Sequence, residues 1–262
     1  MSGYRFIDLA DDGAVAILTL SDPASLNAAS LPMVEELLAV FERLPREGAR
    51  AILLTGAGRG FCSGARLSED LGVDRPDYDA GAALESHYNP LISAVRALPV
   101  PLVTAVNGIA AGIGCAMALA GDIVVAAEGA SFVQPFRGIG LAPDSGLAFT
   151  LTHAIGRVRA AELLLLGGRL SAATAREWGL VNRVVPSDRL IDEALGVARN
   201  LASGPTAALG AARRQCWDAL DIGFDEALRR ERADQREVGR TADHRKGLAA
   251  FLAKRAPRFT GQ

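Results

Sequence analysis

Cysteine and histidine are both scarce in this chain. The three cysteines (Cys62, Cys115, Cys216) are odd in number and follow no disulfide-framework spacing. They read as reduced thiols, which argues against a disulfide scaffold and predicts a cytoplasmic protein. The three histidines (His87, His153, His244) are scattered, and no pair has metal-ligand spacing, so no metal site is expected. An excess of either charge is also missing. Lys plus Arg number 28 against 30 Asp plus Glu, a formal net charge of -2, and nothing in that balance suggests a nucleic-acid partner. Met1 is followed by "SGYRFIDLADDG", which does not read as a signal peptide. No period of solenoid repeats is found.

One run is apolar enough to need a membrane check. "PLVTAVNGIAAGIGCAMALAGDIVVAA", residues 101–127, carries a single charge, Asp122. Its length suits a bilayer, but Asn107-Gly108 breaks it, and Gly112, Gly114 and Gly121 punctuate it further. It also lacks the aromatic and basic flanks of a spanning helix. The better reading is strand, turn, buried helix, strand, with no membrane partner.

What is present is an ordinary globular composition. Of 262 residues, 50% are hydrophobic and 22% charged, enough for one or two domains around a large core. "YRFIDL" and "AVAILTL" read as strands joined by "ADDG", a hairpin turn. Ser30 is placed to cap the helix that follows. Strands are predicted at 50–56, 102–106, 122–127, 131–134 and 180–185, and helices at 81–98 and 112–120. Residues 68–80 are polar, contain Pro76 and predict a mobile surface segment. From about Asp188 onward only helices are expected, and residues 205–262 hold 12 Lys plus Arg against 8 Asp plus Glu. Strands alternating with helices argue an α/β fold with an all-helical C-terminal part.

Two glycine turns carry chemistry. "CSGARL" follows strand 50–56, and "AAGIGCAMAL" opens a helix after strand 102–106. The second is not G-x-G-x-x-G and has no acidic residue at the required spacing, which argues against a dinucleotide site. Gly112 and Gly114 allow close backbone approach, and a helix start offers unpaired N–H groups. The Gly64-Ala65 turn can present another. Two such donors aimed at one point make an oxyanion hole, each supplying ~3 kcal/mol to a transition state. The competing reading is tight packing at a strand–helix corner. A lone carboxylate, Asp144, sits in the otherwise apolar or small stretch "FRGIGLAPDSGLAFTL". Two readings of it are open: a helix N-cap worth ~1 kcal/mol, or the acid or base of an active site.

Taken together, "RGFCSGARL", "AVNGIAAGIGCAMALAGDIVVAA", "IGLAPDSG", "GGRLSAATAREWGLVNRVV" and "FLAKRAPRFTG" resemble the crotonase (enoyl-CoA hydratase/isomerase) superfamily. They span nearly the whole chain in the family's order. "YNPLISAVRALPVPLVTAVNG", "GLAPDSG" and "GRTADHRKGLAAFLAKRAPRFTG" look most like its ring-epoxyphenylacetyl-CoA isomerase branch. The resemblance implies a spiral of ββα turns over residues 1–200 carrying the acyl-CoA site. It implies a helical region, 201–262, that supports a homotrimer or hexamer. It implies coenzyme A as part of the substrate and no separate cofactor.

The resemblance also assigns residues. The thioester oxygen would be held by the N–H groups of Ala65 and Ile113, the second commonly glycine in the superfamily. Hydratases carry two glutamates where this chain has Ala116 and Phe136, and neither can move a proton. Asp144 matches the proton-shuttling aspartate of the isomerase branch. In dehalogenase relatives the same position is a nucleophile paired with a histidine, whose place falls near Asn89, two residues from His87. Ser25 and Leu26, in "PASLNAA", match a segment that lines the CoA site, whose other reading is a simple turn. Ser63, Leu67, Gly112 and Phe136 complete the implied substrate contacts. Arg66 stands where relatives commonly have aspartate; it faces a substrate phosphate, pairs with Glu69 or Asp70, or is solvated. The basic tail reaches CoA phosphates or is a solvated helix face.

Overall fold

A computed structural model describes residues 3–67 and 73–262. Its N-terminal hairpin pairs β1 (Ile7–Asp12) with β2 (Val15–Leu20). The turn is shorter than "ADDG" suggests. Asp11 and Asp12 stay in the strand opposite Ala16 and Val15, and Gly13 supplies the positive φ, +63°, that a two-residue hairpin needs. Helix α1 (Leu31–Arg46) follows, with the Ser30 hydroxyl accepting the Met33 N–H at 3.4 Å and Pro32 in the first turn, where no N–H partner is required. Met33, Val34, Leu37, Val40, Phe41 and Leu44 are its buried face.

The chain then repeats one plan three times. β3 (Ala51–Gly56) and β4 (Gly60–Cys62) lead to α2 (Asn89–Arg96). β5 (Leu102–Val106) and β6 (Ile109–Ala111) lead to α3 (Ile113–Leu119). β7 (Ile123–Ala127) and β8 (Ser131–Val133) lead to α4 (Leu147–Leu166). The first strand of each turn extends the hairpin into a six-stranded sheet of order β1-β2-β3-β5-β7-β10, parallel after the hairpin, with β10 (Arg183–Val185) at its edge. The second strands stack in a smaller parallel sheet, β4-β6-β8, which β9 (Arg169–Ser171) closes in antiparallel. This is the expected spiral of ββα turns. The run at 101–127 forms β5, β6, α3 and β7, and no helix of the described residues is long and apolar enough to cross a membrane.

Polar side chains fix the corners of the spiral. Asn27, wholly buried, donates to the carbonyls of Ala57, Gly60 and Phe61, and Asn107 donates to those of Gly58 and Gly60. The layers touch so closely that a Cβ on Gly108 would lie 2.1 Å from the Arg59 carbonyl oxygen. Residues 73–80 are exposed, as the polar composition implies, whereas 68–72, including Glu69 and Asp70, lie outside the described residues.

The C-terminal half is helical after β10: α5 (Ala172–Glu177) precedes that strand, and α6 (Leu190–Ser203), α7 (Thr206–Asp218), α8 (Phe224–Val238) and α9 (Ala242–Leu252) follow it. The tail then folds back on its own chain. Buried Asp243 accepts N–H bonds from Thr260 at 2.8 Å and Gly261 at 2.7 Å. The Arg50 guanidinium bonds Thr206 and the Gly204 carbonyl beside it. Burial alone would raise the Asp243 carboxyl, but these N–H donors and Lys246 outweigh it and hold it below the usual carboxylate range. A depressed carboxyl stabilises the fold above its unfolded pKa and loses that contribution as pH falls through the folded value. We therefore expect the 260–262 tail to loosen in acid before the core unfolds. Hydrogen exchange at the Thr260 and Gly261 amides, which should accelerate on acidification relative to core amides, checks this, and Asp243→Asn should remove the pH dependence.

Candidate active site

The residues predicted to line a CoA site converge. Leu26 and Asn27 both adopt left-handed backbone, φ +56° and +57°, which is uncommon outside glycine. The Asn27 bonds hold that turn in place, helped by the Asp22 N–H to its Oδ1. The turn aims the Leu26 carbonyl at the Ser63 N–H, 3.0 Å, and the Ser25 carbonyl at the Ser63 hydroxyl, 2.8 Å. Ser25 Oγ donates to Asp22, and Arg66 pairs with the same Asp22 carboxylate at 3.0 Å. Arg66 thus has a local ion partner, one not among those anticipated, and half of its side chain stays exposed. Leu67 is exposed beside it.

The two glycine turns lie against each other. A Cβ on Gly114 would be 2.3 Å from the Cys62 carbonyl oxygen, and one on Gly64 3.2 Å from that of Ala111, so α3 begins directly on the end of β4. Gly64 has φ +108° and Gly112 φ +50°. Neither the Ala65 nor the Ile113 N–H has an acceptor among the described residues. Ile113 is buried, and Phe136 covers the turn, its ring 3.7 Å from where a Gly112 Cβ would be. Ala116 is buried next to it on α3.

Asp144 lies in the loop that enters α4. It lies on a cavity of about 510 Å³ whose other lining residues include Leu84, Asn89, Leu141, Pro143 and Phe149. Asp144 is the one carboxylate among the described lining residues. Ala65, Gly112, Ile113 and Phe136 do not line this cavity. The N-cap reading of Asp144 is not what the structure shows. The cap of α4 is Gly146, with no side-chain cap bond, and among the described residues the Asp144 carboxylate accepts only the Ser145 hydroxyl, 2.9 Å. Ser145 pays for this geometry with a left-handed φ of +52°.

Burial raises the Asp144 carboxyl above its ordinary value, and the Ser145 hydroxyl pulls it part of the way back. Removing that hydroxyl should therefore raise it further. A base must be deprotonated to act, so the acid limb of a kcat/KM profile should move to higher pH in Ser145→Ala; pH-rate profiles of the two proteins check this.

Three buried polar residues escaped the sequence reading. Asn27 looks like one more small turn residue. Gln134 is wholly buried, with its amide nitrogen 3.1 Å from Cys115 Sγ. Tyr88 donates its hydroxyl to the Ala29 carbonyl at 2.9 Å. Asn27 and Gln134 sit in short irregular segments, where periodicity gives no signal, and Tyr88 lies in a helical turn inside the helix predicted at 81–98.

A stacked ββα spiral with paired glycine turns and an acid-bearing cavity defines a crotonase-type fold. The chain matches the family model "Enoyl-CoA hydratase/isomerase" over residues 10–262 and belongs to that family. It is 45% identical over 251 residues to a 1,2-epoxyphenylacetyl-CoA isomerase of Escherichia coli, covering 95% of each chain. It is 33% identical over 249 residues to a 2,3-dehydroadipyl-CoA hydratase of the same organism, covering 95% and 96%. The crystal structure of an enoyl-CoA hydratase from Bacillus anthracis superposes with a TM-score of 0.91 at 32% identity, covering 98% of this chain and 100% of that one.

Proposed function

We propose that this enoyl-CoA hydratase/isomerase family protein is an acyl-CoA isomerase that moves a double bond or rearranges a ring epoxide. The thioester carbonyl oxygen sits between the N–H groups of Ala65 and Ile113. Polarising that carbonyl acidifies the adjacent C–H, because the enolate charge gathers on the held oxygen. Asp144 takes the proton and returns one at another carbon, so a single base completes the cycle with no net proton lost. Ser25, Leu26, Ser63, Arg66, Leu67, Gly112 and Phe136 form the surrounding substrate contacts. The same reading places the chain in a homotrimer or hexamer, in which exposed apolar side chains such as Phe224, Phe251 and Leu252 are covered.

One observation carries the proposal. Asp144 is a half-buried carboxylate with a raised pKa and no cation partner among the described residues, whereas Ala116 and Phe136 offer no group to activate water. The rival is hydration, favoured by the hydratase names of several relatives. Incubation of enoyl-CoA and phenylacetyl-derived thioesters in deuterated solvent separates the two. Isomerisation with deuterium uptake and no 3-hydroxyacyl-CoA supports the proposal, and rapid accumulation of 3-hydroxyacyl-CoA overturns it.

A further inference from the structure

Tyr88 stands between the glycine turn at Gly64-Ala65 and the segment that lines the Asp144 cavity: its hydroxyl bonds Ala29, which pairs with Ala65, and the next residue, Asn89, lines the cavity. Tyr88 ends a wide helical turn, Leu84–Tyr88, that runs straight into α2. The widening has a local cause. Pro90 has no N–H for the Ser86 carbonyl and its ring would crowd that oxygen in a regular helix. The Asn89 N–H instead reaches back five residues to the Leu84 carbonyl. The neighbours then divide: Asn89 lines the cavity, and Tyr88 is only 6% exposed.

The Tyr88 hydroxyl donates to the Ala29 carbonyl, which is the hub of the turn. Ala29 and Ala65 form an isolated parallel bridge. Its N–H donates to Gly64 at 2.8 Å, and its carbonyl accepts the Arg66 N–H at a long 3.3 Å. In a parallel bridge one residue bonds the two neighbours of its partner, so the partner's own N–H points away. The Ala65 N–H is therefore turned away from Ala29, and its position is set by how firmly Ala29 holds Gly64 and Arg66. With the Arg66 bond weak, the 2.9 Å Tyr88 bond is the shorter of the two on that carbonyl.

We infer that Tyr88 is a positioning residue for the acyl thioester: through the Ala29 carbonyl it fixes the Gly64-Ala65 turn and so the first donor to the thioester oxygen. Burial first, then the charges of Cys62 and Asp144, push the Tyr88 hydroxyl up to about 12, so it remains a neutral donor across the working pH range.

The inference rests on the proposed oxyanion role of Ala65, and the test separates the two. The readout is the carbonyl stretch of a bound acyl-CoA carrying 13C at the thioester carbon, measured by infrared difference spectroscopy. In the unaltered enzyme binding should lower that frequency. Tyr88→Phe keeps the ring and loses the hydroxyl, and its shift should be smaller, with kcat down roughly 10-fold and KM changed far less. Tyr88→Met, which also lacks the hydroxyl, should give the same band and serves if Tyr88→Phe is unstable. A full wild-type shift with wild-type kcat in either variant overturns the inference. Asp144→Asn should keep the full shift. If Asp144→Asn stays active while Tyr88→Phe loses the shift, the isomerase mechanism falls and the role of Tyr88 stands. An unaltered enzyme that leaves the band unmoved overturns both.

Discussion

Asp144→Asn is expected to lower turnover by about 10²- to 10⁴-fold, the usual contribution of a positioned general base. Asparagine keeps the size of the side chain and an oxygen that can accept the Ser145 hydroxyl, so the fold has no reason to change. The unfolding midpoint and the affinity for a CoA thioester should match those of the parent protein. This pattern, with chemistry lost and binding kept, distinguishes the proposed isomerase from a weakly active acyl-CoA-binding subunit, for which Ala116 and Phe136 are the main argument. Unchanged turnover with intact binding would remove Asp144 from the mechanism. The magnitude depends on the apolar setting. Desolvation raises the basicity of Asp144, and among the described residues no Lys or Arg pairs with it to cancel that effect.

The sequence announced this residue more clearly than it announced the geometry around it. A single acid in a stretch of small and apolar residues is a strong anomaly, and so is a glycine turn opening an apolar helix. Both survive in the fold: Asp144 on its cavity wall, and Gly112 and Gly114 packed against β4 and Phe136. The long strands β3, β5 and β7 were legible because four to six consecutive buried residues leave a mainly apolar run. β4, β6 and β9 were not. Each has three residues and exists only because a neighbouring turn of the spiral offers it a partner, a relation that local pattern does not carry. The same limit hid Asn27 and Tyr88. Their importance lies in the carbonyls they reach, 57–61 and 29, which are distant in sequence. Asp144 was also open to a capping role on sequence grounds, because Asp followed by Ser before "GLAFTL" is good cap chemistry. The left-handed Ser145 and Gly146 decide otherwise by carrying the helix start past the carboxylate.

Arg213→Ala should be among the most destabilising single changes in the protein while leaving the chemistry intact. Arg213, on α7, is nearly wholly buried, and its four bonds go to two places. Nε donates to Asp122 at 2.7 Å, and the terminal nitrogens donate to the carbonyls of Val95, Arg96 and Leu98. Those carbonyls belong to the end of α2 and the residues just after it, where helix carbonyls have no partner of their own. Asp122 in turn accepts the Leu102 N–H at the start of β5. Burial raises the Asp122 carboxyl and Arg213 draws it back, so truncating the arginine leaves a poorly solvated acid and, among the described residues, two carbonyls, of Arg96 and Leu98, without a donor. Breaking a buried pair typically costs 3–5 kcal/mol; because the Asp122 side chain keeps 22% exposure, a loss of about 3 kcal/mol is the expectation. Urea titration at constant pH measures it. The paired replacement Arg213→Met with Asp122→Leu should recover part of the loss, because no charge is then left buried alone. A shift under 1 kcal/mol in Arg213→Ala (roughly what an exposed pair is worth) would show that α7 is held on the core by apolar contact, with Gly210 against Pro99, and not by this arginine. Arg213 grips the end of α2, whereas Tyr88 and Asn89 are at its start. Turnover at low temperature should therefore persist in the variant until α2 itself loosens, and activity and stability should be lost at different temperatures.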